Sequence, residues 1–182
     1  MSFPGIPSLD AAVMAFIQTH FHNTVTDTVF PIITSLGEAG IGWIILSLVL
    51  LCFKKTRRTG GLVLIAMTVT LLFGELTLKN IICRLRPCNV FTNFPMLIAR
   101  PTSYSFPSGH TSSSFAAALI LTLRHKKVGW LAYIPAVLIA FSRIFLFVHY
   151  PTDVLAGILL GTLAALLTYF AAVSYTHLRA HE

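Results

Sequence analysis

The chain has 182 residues, room for one domain. It is 55% hydrophobic and 10% charged, with a mean hydropathy of +0.80, which excludes a water-soluble globule because so much apolar surface could not be covered. A net charge of +7 would suit nucleic acid only if the basic residues formed one solvated stripe; they stand between apolar segments instead, which argues against a nucleic-acid partner and for membrane topology and anion binding.

Residues 9–33 place Leu9, Val13, Phe16 and Ile17 at helical spacing, mixed with Asp10, Gln18, His20, His22 and Asp27. This amphipathic pattern is too polar to span a bilayer and predicts one or two interfacial helices, broken near Asn23-Thr24 and at Pro31. His20 and His22 read as interfacial residues, since no third metal ligand lies nearby. The first residues lack a basic region followed by an apolar core, so no cleavable signal is expected.

Apolar stretches then recur at residues 39–53, 61–82, 108–123, 128–148 and 154–173. A crossing helix needs about 20 residues. The second, fourth and fifth stretches are long enough, whereas the first and third need flanking residues. The expected fold is therefore all-α: an integral membrane bundle of about five spanning helices over residues 39–173, preceded by an interfacial segment, residues 1–38. A sixth span follows if that segment inserts. Residues 174–182 are polar, do not continue the pattern, and are set apart as a tail that need not be native. Cys52, Cys83 and Cys88 are too few for a disulfide framework and read as small apolar fillers, with a local Cys83–Cys88 bridge left open.

The loops predict orientation. Lys54, Lys55, Arg57 and Arg58 crowd the first short connection, and Arg124, Lys126 and Lys127 crowd the third. By the positive-inside rule both are cytoplasmic. The 88–106 loop and the turn at 147–152 then face outward, and three polar clusters come to that side.

The first cluster is Lys79 with Arg86-Pro87, seven positions apart, about two helical turns, so both cations are expected on one helix face. Glu75 precedes Lys79 by four and is expected to pair with it. The second is Pro107-Ser108-Gly109-His110, at the start of an apolar helix. Ser108 reads as an N-cap, Gly109 allows close backbone approach, and the helix start presents free N–H groups to an anion. The third is Ser142-Arg143, His149 and Asp153. Asp153 falls four residues after His149, where a carboxylate can hold one ring nitrogen and free the other to attack. Taken singly, each cluster reads equally well as snorkelling cations or a capped helix.

Taken together, Lys-x6-Arg-Pro, Pro-Ser-Gly-His and Ser-Arg-x5-His-x3-Asp closely resemble the three signature motifs of the type-2 phosphatidate phosphatase superfamily, over about residues 37–173. The resemblance implies a phosphohydrolase without metal or other cofactor that forms a phosphohistidine. By motif position His149 would be the nucleophile and Asp153 its orienting partner. His110 would protonate the leaving oxygen and then activate water. Lys79, Arg86 and Arg143 would hold the phosphoryl oxygens, with Ser108 and Gly109 completing the cradle. Elementary chemistry agrees, because phosphoryl transfer needs mainly positioning and charge neutralisation.

Soluble members of that superfamily include acid phosphatases and vanadate-dependent haloperoxidases. The apolar stretches set this chain beside the membrane members instead, and it is similar to bacterial lipid phosphatases acting on undecaprenyl diphosphate, phosphatidylglycerophosphate or phosphatidate. It departs from some of them in lacking an additional full first span and any large outer domain. The resemblance thus implies a lipid phosphate or diphosphate substrate, undecaprenyl diphosphate first, in a bacterial cytoplasmic membrane with the site outward. Two other classes stay open. A non-catalytic binder of anionic headgroups would need the cations but not His110, His149 and Asp153, and a transferase would pass the phosphoryl group to another acceptor.

Overall fold

The computed structural model describes residues 3–179, and these form an all-helical bundle. The helices are α1 (Ser8–His20), α2 (Thr24–Leu36), α3 (Ile41–Cys52), α4 (Arg57–Thr70), α5 (Lys79–Ile82), α6 (Pro87–Val90), α7 (Gly109–Arg124), α8 (Tyr133–Phe145) and α9 (Pro151–Arg179). A π-helical stretch, Leu71–Leu78, joins α4 to α5.

The expected break at Asn23-Thr24 is a capping box, in which Asn23 Oδ1 accepts from the Val25 and Thr26 N–H groups and the Thr26 hydroxyl accepts from the Asn23 N–H. The second expected break does not occur. Pro31 lies inside a continuous α2, costing one ladder bond that the flanking turns tolerate. The chain bends instead at Glu38–Gly40, where Ala39 and Gly40 take left-handed backbone conformations.

α7 is the centre of the bundle and packs against α4, α8 and α9. Much of its buried side is small, with Thr111, Ser112, Ser114 and Ala116–Ala118 carrying little bulk beside Phe115, Ile120 and Leu121. α9 meets it with Gly157 and Gly161, four residues apart. A Cβ on Gly157 would lie 2.8 Å from the Ser108 carbonyl oxygen, and one on Gly161 would strike the Ser112 carbonyl. Small residues at this spacing let two backbones approach, the usual basis of helix packing in lipid. Away from α7, α9 exposes Leu155, Leu159, Leu163 and Leu167 in one stripe. Such a stripe has a partner in lipid tails and none in water.

Among the described residues two helical runs are long and apolar enough to cross a membrane, Arg57–Val90 and Pro151–Ser174. A third is formed if Thr24–Leu36 and Glu38–Cys52, bent by 45°, make one broken span. Each of the five expected stretches is largely helical, but by length and composition only these qualify among the described residues. α7 has 16 residues, about 24 Å at 1.5 Å per residue, against about 30 Å of hydrocarbon. The backbone of α9 continues as helix past Ser174 to Arg179, into the expected tail; residues 180–182 lie outside the described residues. Cys52, Cys83 and Cys88 are unpaired.

The two basic connections lie at one end of the bundle, brought together by a hydrogen bond of 3.0 Å between Thr59 Oγ1 and His125 Nε2. The start of α7, the end of α8 and the start of α9 lie at the other end, where the Ser108 N–H donates to the Asp153 carbonyl at 3.1 Å.

Candidate active site

All three clusters meet at this second end. Lys79 opens α5 and is buried, and its Nζ donates to both oxygens of Glu75 at 2.6 and 2.7 Å. The expected Glu75–Lys79 pair is present. Arg86 arrives by a different route from the one the spacing suggested. α5 ends at Ile82, Cys83 is left-handed (φ 50°), and an extended segment carries the chain to Arg86. The two cations therefore do not project from one helix face; a reversal of the backbone brings Arg86 in.

The buried guanidinium of Arg86 is fully directed. Nε donates to the Ser103 carbonyl at 2.7 Å, Nη2 to the Ser103 hydroxyl at 2.9 Å, and Nη1 to the Val148 carbonyl at 2.9 Å and to His149 Nε2 at 2.8 Å. Guanidinium can only donate, so Nε2 of His149 is the acceptor and the ring proton sits on Nδ1. Nδ1 lies 3.5 Å from Asp153 Oδ2 and 3.4 Å from the Ser105 hydroxyl, which itself donates to that carboxylate oxygen. The His149–Asp153 contact is thus electrostatic and shared with Ser105, looser than a direct hydrogen bond.

His149 is aimed by the turn after α8. Phe147 adopts φ 59°, a conformation that costs a bulky residue roughly 1–3 kcal/mol. Its ring is buried against Phe94, centroids 3.9 Å apart, and against Phe3 at 5.3 Å. The turn delivers the N–H groups of Val148 and His149 to the Arg143 carbonyl, both at 3.2 Å. Arg143 is buried; its Nη1 donates to the Thr34 hydroxyl at 2.6 Å, and its Nε has no acceptor among the described residues.

Ser108, Gly109 and His110 open α7. Ser108 occupies the N-cap position, but its hydroxyl accepts from Thr111 Oγ1 at 2.9 Å and bonds no backbone N–H, so the expected side-chain cap is absent. Gly109 lets the Glu75 carboxylate approach the start of α7, since a Cβ there would overlap Glu75 Oε1 and push the carboxylate aside. His110 is half-buried, and its ring makes no hydrogen bond among the described residues. The charges of Arg86, Arg143 and Lys79 bear on both imidazoles. Arg86 and Arg143 have no carboxylate within ion-pair distance among the described residues. Buried cations without a counter-charge are costly unless an anion joins them, so the arrangement is suited to receive an anion beside the acceptor nitrogen of His149.

Sequence reasoning missed Arg84, Ser105 and Thr34, and took Asp10 for one polar residue of an amphipathic face. Asp10 is fully buried and pairs with Arg84 at 2.7 Å. An acidic side chain in an apolar chain was the available signal; Ser105 and Thr34 offered none. Two cavities, of about 300 and 810 Å³, open elsewhere, and no side chain of the three clusters lines either.

The model of the PAP2 superfamily matches residues 59–175. An undecaprenyl-diphosphatase of Sulfolobus acidocaldarius is 40% identical over 121 residues, 66% of this chain and 58% of that protein. The bacitracin transport permease protein BcrC of Bacillus licheniformis is 34% identical over 152 residues, 81% of this chain and 74% of that one. The crystal structure of a transmembrane PAP2-type phosphatidylglycerolphosphate phosphatase from Bacillus subtilis superposes with a TM-score of 0.74 at 28% identity, covering 94% of this chain and 88% of that one.

Proposed function

The chain belongs to the PAP2 superfamily, and from that premise we propose that it is a membrane lipid phosphatase whose substrate is undecaprenyl diphosphate. The single observation carrying the chemistry is the hydrogen bond from Arg86 to His149 Nε2, which puts the attacking lone pair at the edge of the phosphate receptor. Lys79, Arg86 and Arg143 bind the terminal phosphoryl oxygens, with Ser108 and Gly109 completing the cradle. His149 Nε2 attacks phosphorus, the bond to the bridging oxygen breaks, and His110 gives its proton to the departing lipid monophosphate. Asp153 stabilises the Nδ1–H side of the phosphohistidine. His110 then takes a proton from water as its oxygen attacks phosphorus; the P–N bond breaks and inorganic phosphate leaves.

Five helices cross the bilayer in this reading, α3, α4–α5, α7, α8 and α9, with the site at the outer face of a bacterial cytoplasmic membrane. The two basic connections at the opposite end support that orientation, and the undecaprenyl-diphosphatase relative supports the substrate. A phosphatidylglycerophosphate substrate is the second reading, favoured by the Bacillus subtilis enzyme, whose structure this chain matches over 94% of its own length. Purified protein in detergent should release phosphate from undecaprenyl diphosphate faster than from phosphatidylglycerophosphate or phosphatidate. A reversed order would transfer the assignment to the second reading, and no release from any of the three would end the phosphatase reading.

A further inference from the structure

We infer that Arg84 is a positioning residue for the His149–Asp153 pair and is itself set by Asp10 of α1; the inference rests on the phosphatase reading of that pair. Arg84 spreads one guanidinium across two helices. Nη1 donates to Asp153 Oδ1 at 2.6 Å and to the Thr152 hydroxyl at 2.7 Å, while Nη2 donates to Asp10 Oδ2 at 2.7 Å. Asp10 completes the frame from the other side, accepting from the Thr152 N–H at 2.9 Å and from its hydroxyl at 2.8 Å. The Tyr150 ring lies against the guanidinium, 3.7 Å from Cζ to its centroid. Burial pushes the Tyr150 hydroxyl up to about 12, so it adds no negative charge beside Asp153.

Asp153 has no exposed surface, and neither has Asp10. Arg84 is the one permanent cation within ion-pair distance of either carboxylate among the described residues. By taking Oδ1, Arg84 leaves Oδ2 for the Ser105 hydroxyl, the Tyr150 N–H at 3.0 Å and the His149 side. Without it Asp153 Oδ1 loses the bond that fixes the carboxylate plane, and two buried carboxylates lose their common counter-charge. Lys79, Arg86 and Arg143 make no hydrogen bond to Arg84, Thr152 or Asp10 among the described residues. The loss should therefore fall on turnover and spare substrate binding. Asp10 lies outside residues 59–175 that match the family model, so the first helix supports the site from beyond the family's matched segment.

The test compares Arg84→Gln, Arg84→Lys, Asp10→Asn and the double variant Arg84→Gln/Asp10→Asn with wild type and His149→Ala. Phosphate release from undecaprenyl diphosphate and from phosphatidate in mixed micelles gives kcat and KM, and tryptophan fluorescence on heating reports folding. Arg84→Gln should lose about 10²-fold in kcat with KM within about twofold of wild type, as expected for a misplaced reacting pair. Arg84→Lys should regain about tenfold of that loss, since it restores charge without the fork. The double variant should match Arg84→Gln within about twofold, because an amide at position 10 still accepts from the Thr152 N–H, so that Asp10→Asn removes chiefly the charge beside Arg84. A kcat for folded Arg84→Gln near wild type, a rise in KM alone, or additive losses in the double variant would overturn the inference. If Arg84→Gln does not fold, Asp10→Asn decides: a drop of about tenfold in kcat at unchanged KM supports it, and wild-type kcat overturns it. A wild type inactive on both lipids would end the phosphatase reading first, and this inference with it.

Discussion

Arg86 Nη1 and His149 Nε2 are 2.8 Å apart and joined by a hydrogen bond that only the arginine can donate. The bond assigns the ring proton to Nδ1 and the lone pair to Nε2. It also sets the cation proposed to bind phosphate directly against the candidate nucleophile. A phosphoryl oxygen entering the receptor would take over this N–H and place its phosphorus beside Nε2.

His149→Ala should abolish phosphate release, a fall of at least about 10²-fold, while Asp153→Asn leaves weak activity because Ser105 still contacts Nδ1. The check is turnover of folded variants in detergent. Near-normal release by His149→Ala would remove the phosphohistidine from the mechanism.

Among the described residues no three His, Cys, Asp or Glu side chains converge as a metal site would require. Activity is expected to persist in excess EDTA and to fall with vanadate, a mimic of five-coordinate phosphorus. Loss in EDTA with recovery on adding magnesium would show that a divalent ion has a seat overlooked in the cluster.

Gly161→Val should destabilise the fold by about 1–3 kcal/mol, because its Cβ has nowhere to go but into the Ser112 carbonyl and to 3.0 Å from the Ala116 nitrogen. Gly61→Ala makes the contrast: no atom lies within 4 Å of its added Cβ, and helix propensity favours alanine by about 1 kcal/mol. Thermal unfolding in detergent should move in opposite directions for the two variants. Equal shifts would mean that the α7–α9 contact is looser than described.

Sidedness follows from labelling in a cysteine-free background. A single cysteine at Asn93, exposed in the loop before the site, should react with an impermeant maleimide on intact cells or spheroplasts. Cysteines at Arg57 or Lys126, exposed at the basic end, should react only after permeabilisation. The reverse pattern would place His110 and His149 in the cytoplasm and withdraw the outward-facing function.

By itself the sequence determined the class of molecule and named the residues of a candidate site. In an apolar chain each retained charge stands out, because burying it is expensive without a purpose. Lys79, Arg86, His110, Arg143, His149 and Asp153 were therefore legible at their motif spacings, as were the five apolar stretches that became helices. The tertiary structure alone decided how those residues are held. Arg84 meets Asp10 across 74 positions and Asp153 across 69, Arg143 meets Thr34 across 109, and Ser105 meets Asp153 across 48. Local sequence carries no record of such pairings, since a hydrogen bond depends on where two backbones pass and not on what lies beside each donor. The same holds for the reversal at Cys83. Left-handed backbone usually announces itself with glycine, and here a cysteine takes it, so the spacing of Lys79 and Arg86 suggested a continuous helix that the folded chain does not form. Span count was hidden for a related reason: hydropathy marks which stretches avoid water, whereas packing against α7 and the bends at residues 38–40 and 83 set how far each one runs.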